Sequence, residues 1–346
     1  MSGPVRALPV AITATGMITG VGNDSASTCA AIRCAIDNFR ETRFMDSGGE
    51  WINASEVELE EPWRGETRLL KLAAAAIGEC LAAASALEPE RTPLVLCLPE
   101  KSRPGRVIDD DNAFVARLED ELGVKFAPTS RILTHGRVAA AVAVRDAARL
   151  LGSGEARHVI VAGTDSLLGA PALAALETER RLLTSVYSDG LIPGEAGAAL
   201  VVERRGMAAA GTLLCEGLGF AVEPAPIGSD QPLRADGLTV AIKTALADAG
   251  REMHDMDYRI ADATGEQYYF KEAALALSRT LRQRKETFDI LHPTDCVGET
   301  GAAHGLVMLG YQKSIFERPV SARHVLLHIG DDAGKRAAIV LGRTGD

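Results

Sequence analysis

An α/β protein whose buried sheets are covered by helices is what this sequence predicts, on three observations. Short apolar runs alternate along the whole chain with longer segments whose apolar residues recur at helical spacing. Apolar residues reach 47% while aromatics stop at 4%, so the core has to be built from Ala, Leu, Val and Ile, which suits close helix–sheet packing. Each half opens on a strand followed by a helix, the rhythm of an internal duplication. A chain of 346 residues is long enough for one large domain or two fused halves with ample core.

The elements follow in order. Residues 8–18, "LPVAITATGMI", read as a strand, and 24–39 as a helix started by an N-cap Asp24. A strong helix over 67–85 precedes a buried strand over 92–99. Helix 138–151 leads through a Gly-Ser-Gly stop into the strand "HVIVAG", 158–163, and residues 194–224 read as two strands joined by a short turn. The rhythm then repeats: helix 238–250, strand 258–265, helix 269–283 and a strand in 288–295. The glycine-rich stretch 296–316 begins a helix, and 324–343 closes the chain as a strand pair. Residues 45–66 and 100–112 are polar and read as loops.

Composition excludes several classes. A formal net charge of −10 with no offsetting Lys/Arg block argues against nucleic acid as a partner, although a local basic patch for a phosphate-bearing ligand remains compatible with it. The six cysteines (Cys29, Cys34, Cys80, Cys97, Cys215, Cys296) form no CxxC pair and no metal-ligand spacing, so no metal or other cofactor is expected and the thiols read as reduced and buried. No charged start followed by an apolar run is visible, and no stretch reaches about 18 uninterrupted apolar residues. The expectation is a cytoplasmic protein without a membrane span.

Five segments, in order, carry a resemblance. They are 10–35 "VAITATGMITGVGNDSASTCAAIRCA", 139–166 "AAAVAVRDAARLLGSGEARHVIVAGTDS", 188–224 "SDGLIPGEAGAALVVERRGMAAAGTLLCEGLGFAVEP", 298–305 "GETGAAHG" and 326–343 "LLHIGDDAGKRAAIVLGR". Together they resemble the β-ketoacyl synthase (3-oxoacyl-ACP synthase) branch of the thiolase-like superfamily. The resemblance implies a five-layered αβαβα sandwich built from two similar halves, here divided as 1–205 and 206–346. It also implies a homodimer or pseudo-homodimer in which the strand matching 158–163 pairs across the interface.

Members of that family are acyltransferases that condense acyl groups with a Cys nucleophile at a helix mouth and two His residues. A helix N-terminus lowers the thiol pKa, and two imidazoles stabilise the enolate formed on decarboxylation. Aligned through "DAARL", 146–150, the nucleophile position falls on Arg137, and a guanidinium that stays protonated cannot attack a thioester. The first family His maps to Asp262 or a neighbour in "ADATGEQ", the second to Glu299, and the Lys preceding it to Thr294. The Phe-Gly turn is replaced by "GDDAGK", with Asp331 and Asp332. Every matched catalytic position is altered, so no intact catalytic set is expected.

Other residues at the same site offer replacement groups. Thr134 needs an adjacent base, and His135 is one on paper, but neighbouring residues face different ways in most loop conformations. Cys296 has the composition of a buried core thiol, and His304 stands about one turn from Glu299. Glu195 in "PGEAGAALV" matches a family Glu that orders its loop against the sheet, and Asp189 starts that turn. Arg137 has two readings. It is either neutralised by an acidic neighbour among Asp262, Glu299 and Asp331, filling the old pocket with a buried ion pair, or it is a new anion site at a helix N-terminus. The pair is the favoured reading. The functional expectation is a ketosynthase-like pseudoenzyme serving as dimer partner or accessory subunit, as cysteine-lacking chain-length subunits do. It would associate as a homodimer or as a heterodimer with a ketosynthase-like subunit, around an acyl carrier protein or acyl-CoA. The alternatives are an acyltransferase with non-standard residues and a non-catalytic acyl or carboxylate binder.

Overall fold

The computed structural model describes residues 9–319 and 322–344. The first set of strands is β1 (Val10–Thr19), β4 (Leu94–Cys97), β5 (Arg131–Leu133), β6 (His158–Ser166) and β7 (Glu195–Arg204). The second is β8 (Leu213–Val222), β9 (Tyr258–Ala261), β10 (Ile290–Leu291), β11 (Val325–Gly330) and β12 (Lys335–Arg343). A separate hairpin pairs β2 (Arg40–Met45) with β3 (Trp51–Ala54). The nine α-helices of the described residues are α1 (Ser25–Arg33), α2 (Gly65–Ala83), α3 (Asp111–Leu122), α4 (Ala139–Ser153), α5 (Ala170–Thr178), α6 (Asp236–Ala249), α7 (Gln267–Thr280), α8 (Thr294–Val297) and α9 (His304–Phe316).

The strand order is β10-β9-β11-β12-β8-β1-β7-β6-β4-β5. Read outward from the centre, β1-β7-β6-β4-β5 and β8-β12-β11-β9-β10 have the same connectivity. In each, two antiparallel pairings come first, and two parallel pairings finish the edge. The duplication seen as rhythm in the sequence is thus a repeat in topology. Among the described residues, three residue pairs, Val10, Ala11 and Ile12 of β1 against Cys215, Leu214 and Leu213 of β8, join the two five-stranded sheets.

Three apolar clusters fill the spaces between five layers. Leu72, Ala73, Ala76 and Ile77 of α2 pack with Phe114 and Leu118 of α3 on the outer face of the first sheet. The central cluster joins α4 and α9 to inward-facing residues of both sheets, including Val161, Val202, Ile329 and Ile339. Leu238, Ala241 and Ala245 of α6 cover the outer face of the second with Ala276 of α7. Glycine sets the closeness of the outer layers in both halves. A Cβ on Gly16 of β1 would sit 2.0 Å from the Ala76 carbonyl of α2, and one on Gly219 of β8 would sit 1.9 Å from the Ala241 carbonyl of α6.

Several expectations need correction. The strand over 158–163 exists as β6, but β4 and β7 pair with both its edges, leaving no free edge to pair across a dimer. The first sheet ends instead on β5. The helix over 24–39 stops at Arg33 because Ala35 takes a left-handed φ of 52°. The supposed loop 45–66 holds β3, and the helix in 296–316 starts only at His304, after a short α8 and a 3₁₀ turn. Cys34 is exposed, unlike the other five thiols.

Candidate functional site

The turn after β5 places Gly136 in the left-handed region at φ 57°, and Arg137 follows it in a single 3₁₀ turn that runs into α4. Arg137 is buried. Its Nη1 lies 3.1 Å from a carboxylate oxygen of Glu299, the ion pair favoured from the sequence. Its Nη2 donates to Asp332 Oδ1 at 2.6 Å and to the Tyr269 hydroxyl, and the guanidinium carbon lies 4.6 Å from the Tyr269 ring centroid. The other Glu299 oxygen accepts the Gly301 backbone N–H at 2.7 Å. The turns that carry Arg137 and Glu299 therefore meet face to face, joined by a charged pair.

A second arginine converges on the same acid. Arg181, also buried, grips Glu266 through Nε at 2.7 Å and Nη2 at 2.9 Å, and reaches Asp332 through Nη1 at 2.8 Å and Nη2 at 3.1 Å. Tyr269 donates to Asp332 at 2.6 Å. A cavity of about 430 Å³ opens beside this group, with Thr134, Arg137, Arg181, Glu299 and Asp332 in its walls. The network contains residues that the sequence reading passed over: Arg181, Tyr269 and Glu266.

The other candidates fall apart from it. Asp262 is buried but turns its carboxylate to the Gly330 N–H at 2.8 Å, and it forms no ion pair with Arg137 among the described residues. Asp331, counted among the acids around Arg137, instead accepts from the Lys335 N–H at 2.7 Å; its neighbour Asp332 takes that place. His304 does not bond Glu299: its Nδ1 sits 3.1 Å from the Thr300 hydroxyl, and burial pushes its pKa down to about 3. No hydrogen bond joins Thr134 to His135 among the described residues, so the general-base pairing has no geometric support. Cys296 is buried at the short α8, where burial first and the nearby Asp295 next push the thiol up to about 11. Thr294, in the place of the family Lys, hydrogen-bonds the Ala263 carbonyl at 2.5 Å. Asp189 does not start its own turn but caps α7 from a distance, accepting the Gln267 N–H at 2.7 Å. Glu195 is held by Arg68 and the Val57 N–H, an ordering role for its loop.

Electrostatics in the site are uneven. Burial pushes the Glu299 carboxyl up to about 7, with Arg137 pulling the other way. Burial also opposes ionisation of Asp332, yet the two guanidiniums outweigh it and hold that carboxyl well below the usual range. Glu299 gives a prediction. A carboxyl raised in the folded state keeps its proton where the unfolded chain has lost it. Its contribution favours the fold below the ordinary value of 4.5 and is lost as pH rises through about 7. The stability difference between wild type and Glu299→Gln should therefore fall by up to about 3 kcal/mol between pH 4.5 and 8. His304 and His328 titrate in both proteins and cancel in the difference. Urea midpoints at the two pH values measure it, and a flat difference would mean that Glu299 ionises normally.

The arrangement, two five-stranded sheets with the same connectivity enclosing central helices whose mouths face one cavity, is the thiolase-like fold of the ketosynthases. Its solved neighbours carry that description. The ishigamide ketosynthase/chain length factor superposes with a TM-score of 0.72 at 19% identity, covering 98% of this chain and 100% of that one. The ketosynthase ApeO in complex with its chain length factor ApeC from Xenorhabdus doucetiae gives 0.76 at 15%, covering 99% and 100%. A type II PKS acyl-carrier protein in complex with its ketosynthase, AntDE:AntF, gives 0.79 at 14%, covering 97% and 99%. No protein-family model matches this sequence, and no curated protein matches it. The likeness is one of fold. No helix of the described residues is long and apolar enough to cross a membrane.

Proposed function

We propose that this chain is a ketosynthase-like protein without Cys-dependent condensing activity, acting as the partner or accessory subunit of a ketosynthase-like dimer. The observation that carries the reading is Arg137. It occupies the helix mouth where the family sequence pattern has its nucleophile, and Glu299, Asp332 and Tyr269 engage its guanidinium. A locked, permanently protonated side chain offers no attacking atom. Neither Thr134 nor Cys296 is hydrogen-bonded to a base among the described residues. Two solved neighbours that pair a ketosynthase with a chain length factor, and a third that holds an acyl-carrier protein with its ketosynthase, support a dimer with a ketosynthase-like subunit. In this reading that dimer works with an acyl carrier protein or acyl-CoA. Residues 1–205 and 206–346 are the two repeating units in this reading. Six unpaired cysteines suit the reducing cytoplasm.

The test is intact mass after incubation with acetyl-CoA, together with co-expression alongside a ketosynthase-like partner. The expected result is unmodified protein that co-purifies with the partner. Iodoacetamide should modify the exposed Cys34 and leave the five buried cysteines slow. A stoichiometric acyl adduct, or a second thiol that reacts fast at neutral pH, would restore an enzyme.

A further inference from the structure

We propose that Arg137 and Arg181 in the cavity wall, together with the buried Tyr269 beside them, form a carboxylate-binding site, filled here by Asp332 of the same chain, and that a small amphipathic carboxylate displaces Asp332 to bind there. Asp332 is received as a ligand would be. Its Oδ1 accepts from Arg137 at 2.6 Å, Tyr269 at 2.6 Å and Arg181 at 3.1 Å, and its Oδ2 accepts from Arg181 at 2.8 Å. Two guanidiniums and a phenol aimed at one carboxylate make a strong and geometrically selective receptor. The donors are buried and the acceptor is not. The side chains of Arg137 and Arg181 are 6% and 9% exposed, whereas that of Asp332 is 51% exposed.

Each arginine also keeps a carboxylate of its own, Glu299 for Arg137 and Glu266 for Arg181. Those partners hold the receptor in place when Asp332 leaves. They also make exchange one anion for one anion, with no change in the charge of the site. Departure needs little backbone movement. Asp332 lies in the turn between β11 and β12, and that turn is pinned by its neighbour: Asp331 accepts the Lys335 N–H at 2.7 Å and the Gly334 N–H at 3.2 Å. No backbone N–H bonds the Asp332 carboxylate among the described residues, so rotation of one side chain empties the receptor.

Apolar residues of the same cavity define the rest of the ligand. Leu167, Ala172, Ala175, Leu176 and Leu191 line the same cavity of about 430 Å³, within the usual range for small-molecule pockets. A carboxylate head on the arginines would lay a short apolar chain against these residues. The proposal rests on the pocket performing no condensation, which the acetyl-CoA experiment tests separately.

Calorimetric titration of the full chain with sodium octanoate and with 1-octanol, on wild type and on Asp332→Ala, tests the exchange. Removing the resident carboxylate should tighten octanoate binding at least tenfold and leave octanol binding unchanged. Asp332→Asn carries the same comparison, with a smaller gain, should the alanine variant fold poorly. Equal octanoate affinity in wild type and variants, or an equal gain for octanol, would overturn the proposal. That failure in a protein that stays unacylated would leave the non-condensing reading standing.

Discussion

Replacing Arg137 with Met is expected to destabilise the protein by about 3–5 kcal/mol, the range for removing one partner from a buried charged network. The structure makes the cost asymmetric. Arg137 is the shared cation of Glu299 and Asp332, with Asp262 also within its field, so its loss leaves buried carboxylates short of countercharge. Glu299→Leu leaves Arg137 still paired with Asp332 and should cost closer to about 2 kcal/mol, the scale of a lost hydrogen bond to a charged group. The double variant should be more stable than Arg137→Met alone, because the uncompensated Glu299 is gone while Arg181 still holds Asp332. Urea denaturation of the four proteins closes the cycle. Single costs that simply add, or an Arg137→Met variant within about 1 kcal/mol of wild type, would show that the two residues diverged independently.

The elements most legible in the sequence are those where helical or strand period persists over several turns or pairings. β1, α2, α4, β6 and β7 fall close to their expected positions because an unbroken apolar face admits only one period. The elements that escaped are short or solvent-facing. β5 has three residues, and β2 alternates exposed with half-buried positions, so neither contrasts with loop composition. The helix α3 does carry its stop and start signals, an Asp110 N-cap and a left-handed Gly123, but only Phe114 and Leu118 are buried and the period is faint. In the site, Arg137 and Glu299 were readable because each sits in a glycine-punctuated turn with a fixed offset from a recognisable helix. Arg181, Tyr269 and Asp332 reach the same point from a loop, a helix and a hairpin turn. Nothing local marks Arg181 as buried, and its partner Glu266 lies 85 residues away. Tyr269 reads as one more residue on the buried face of α7, with Ala273 and Ala276.

The second large effect lies behind that site, at Arg336. Its side chain is 0% exposed, and a group so placed in β12 survives because each of its three guanidinium nitrogens finds a partner. Nε lies 2.8 and 2.9 Å from the two oxygens of Glu272, Nη1 donates to the carbonyls of Asp331 and Lys335, and Nη2 donates to the Tyr268 hydroxyl at 2.9 Å. Arg336→Met should cost about 3–5 kcal/mol, since Glu272 on α7 is left buried without its cation. Burial already pushes the Glu272 carboxyl up to about 7 against the pull of Arg336, and without the guanidinium it moves higher still. Above the ordinary carboxylate range the variant must therefore choose between ionising a buried acid and binding a proton. By the sign worked out for Glu299, wild type and variant lose stability in parallel as pH rises from 4.5 towards about 7, and the deficit of the variant grows only above that, where wild type ionises Glu272 and the variant still holds the proton. Arg336→Met combined with Glu272→Leu should recover much of the loss at neutral pH. The consequence reaches the carboxylate receptor, because the Asp331 carbonyl that Arg336 holds belongs to the turn that presents Asp332. Urea midpoints for the single and double variants across pH 4.5 to 8 measure the effect. A deficit independent of pH would assign the cost to lost packing around the arginine stem and not to the stranded acid.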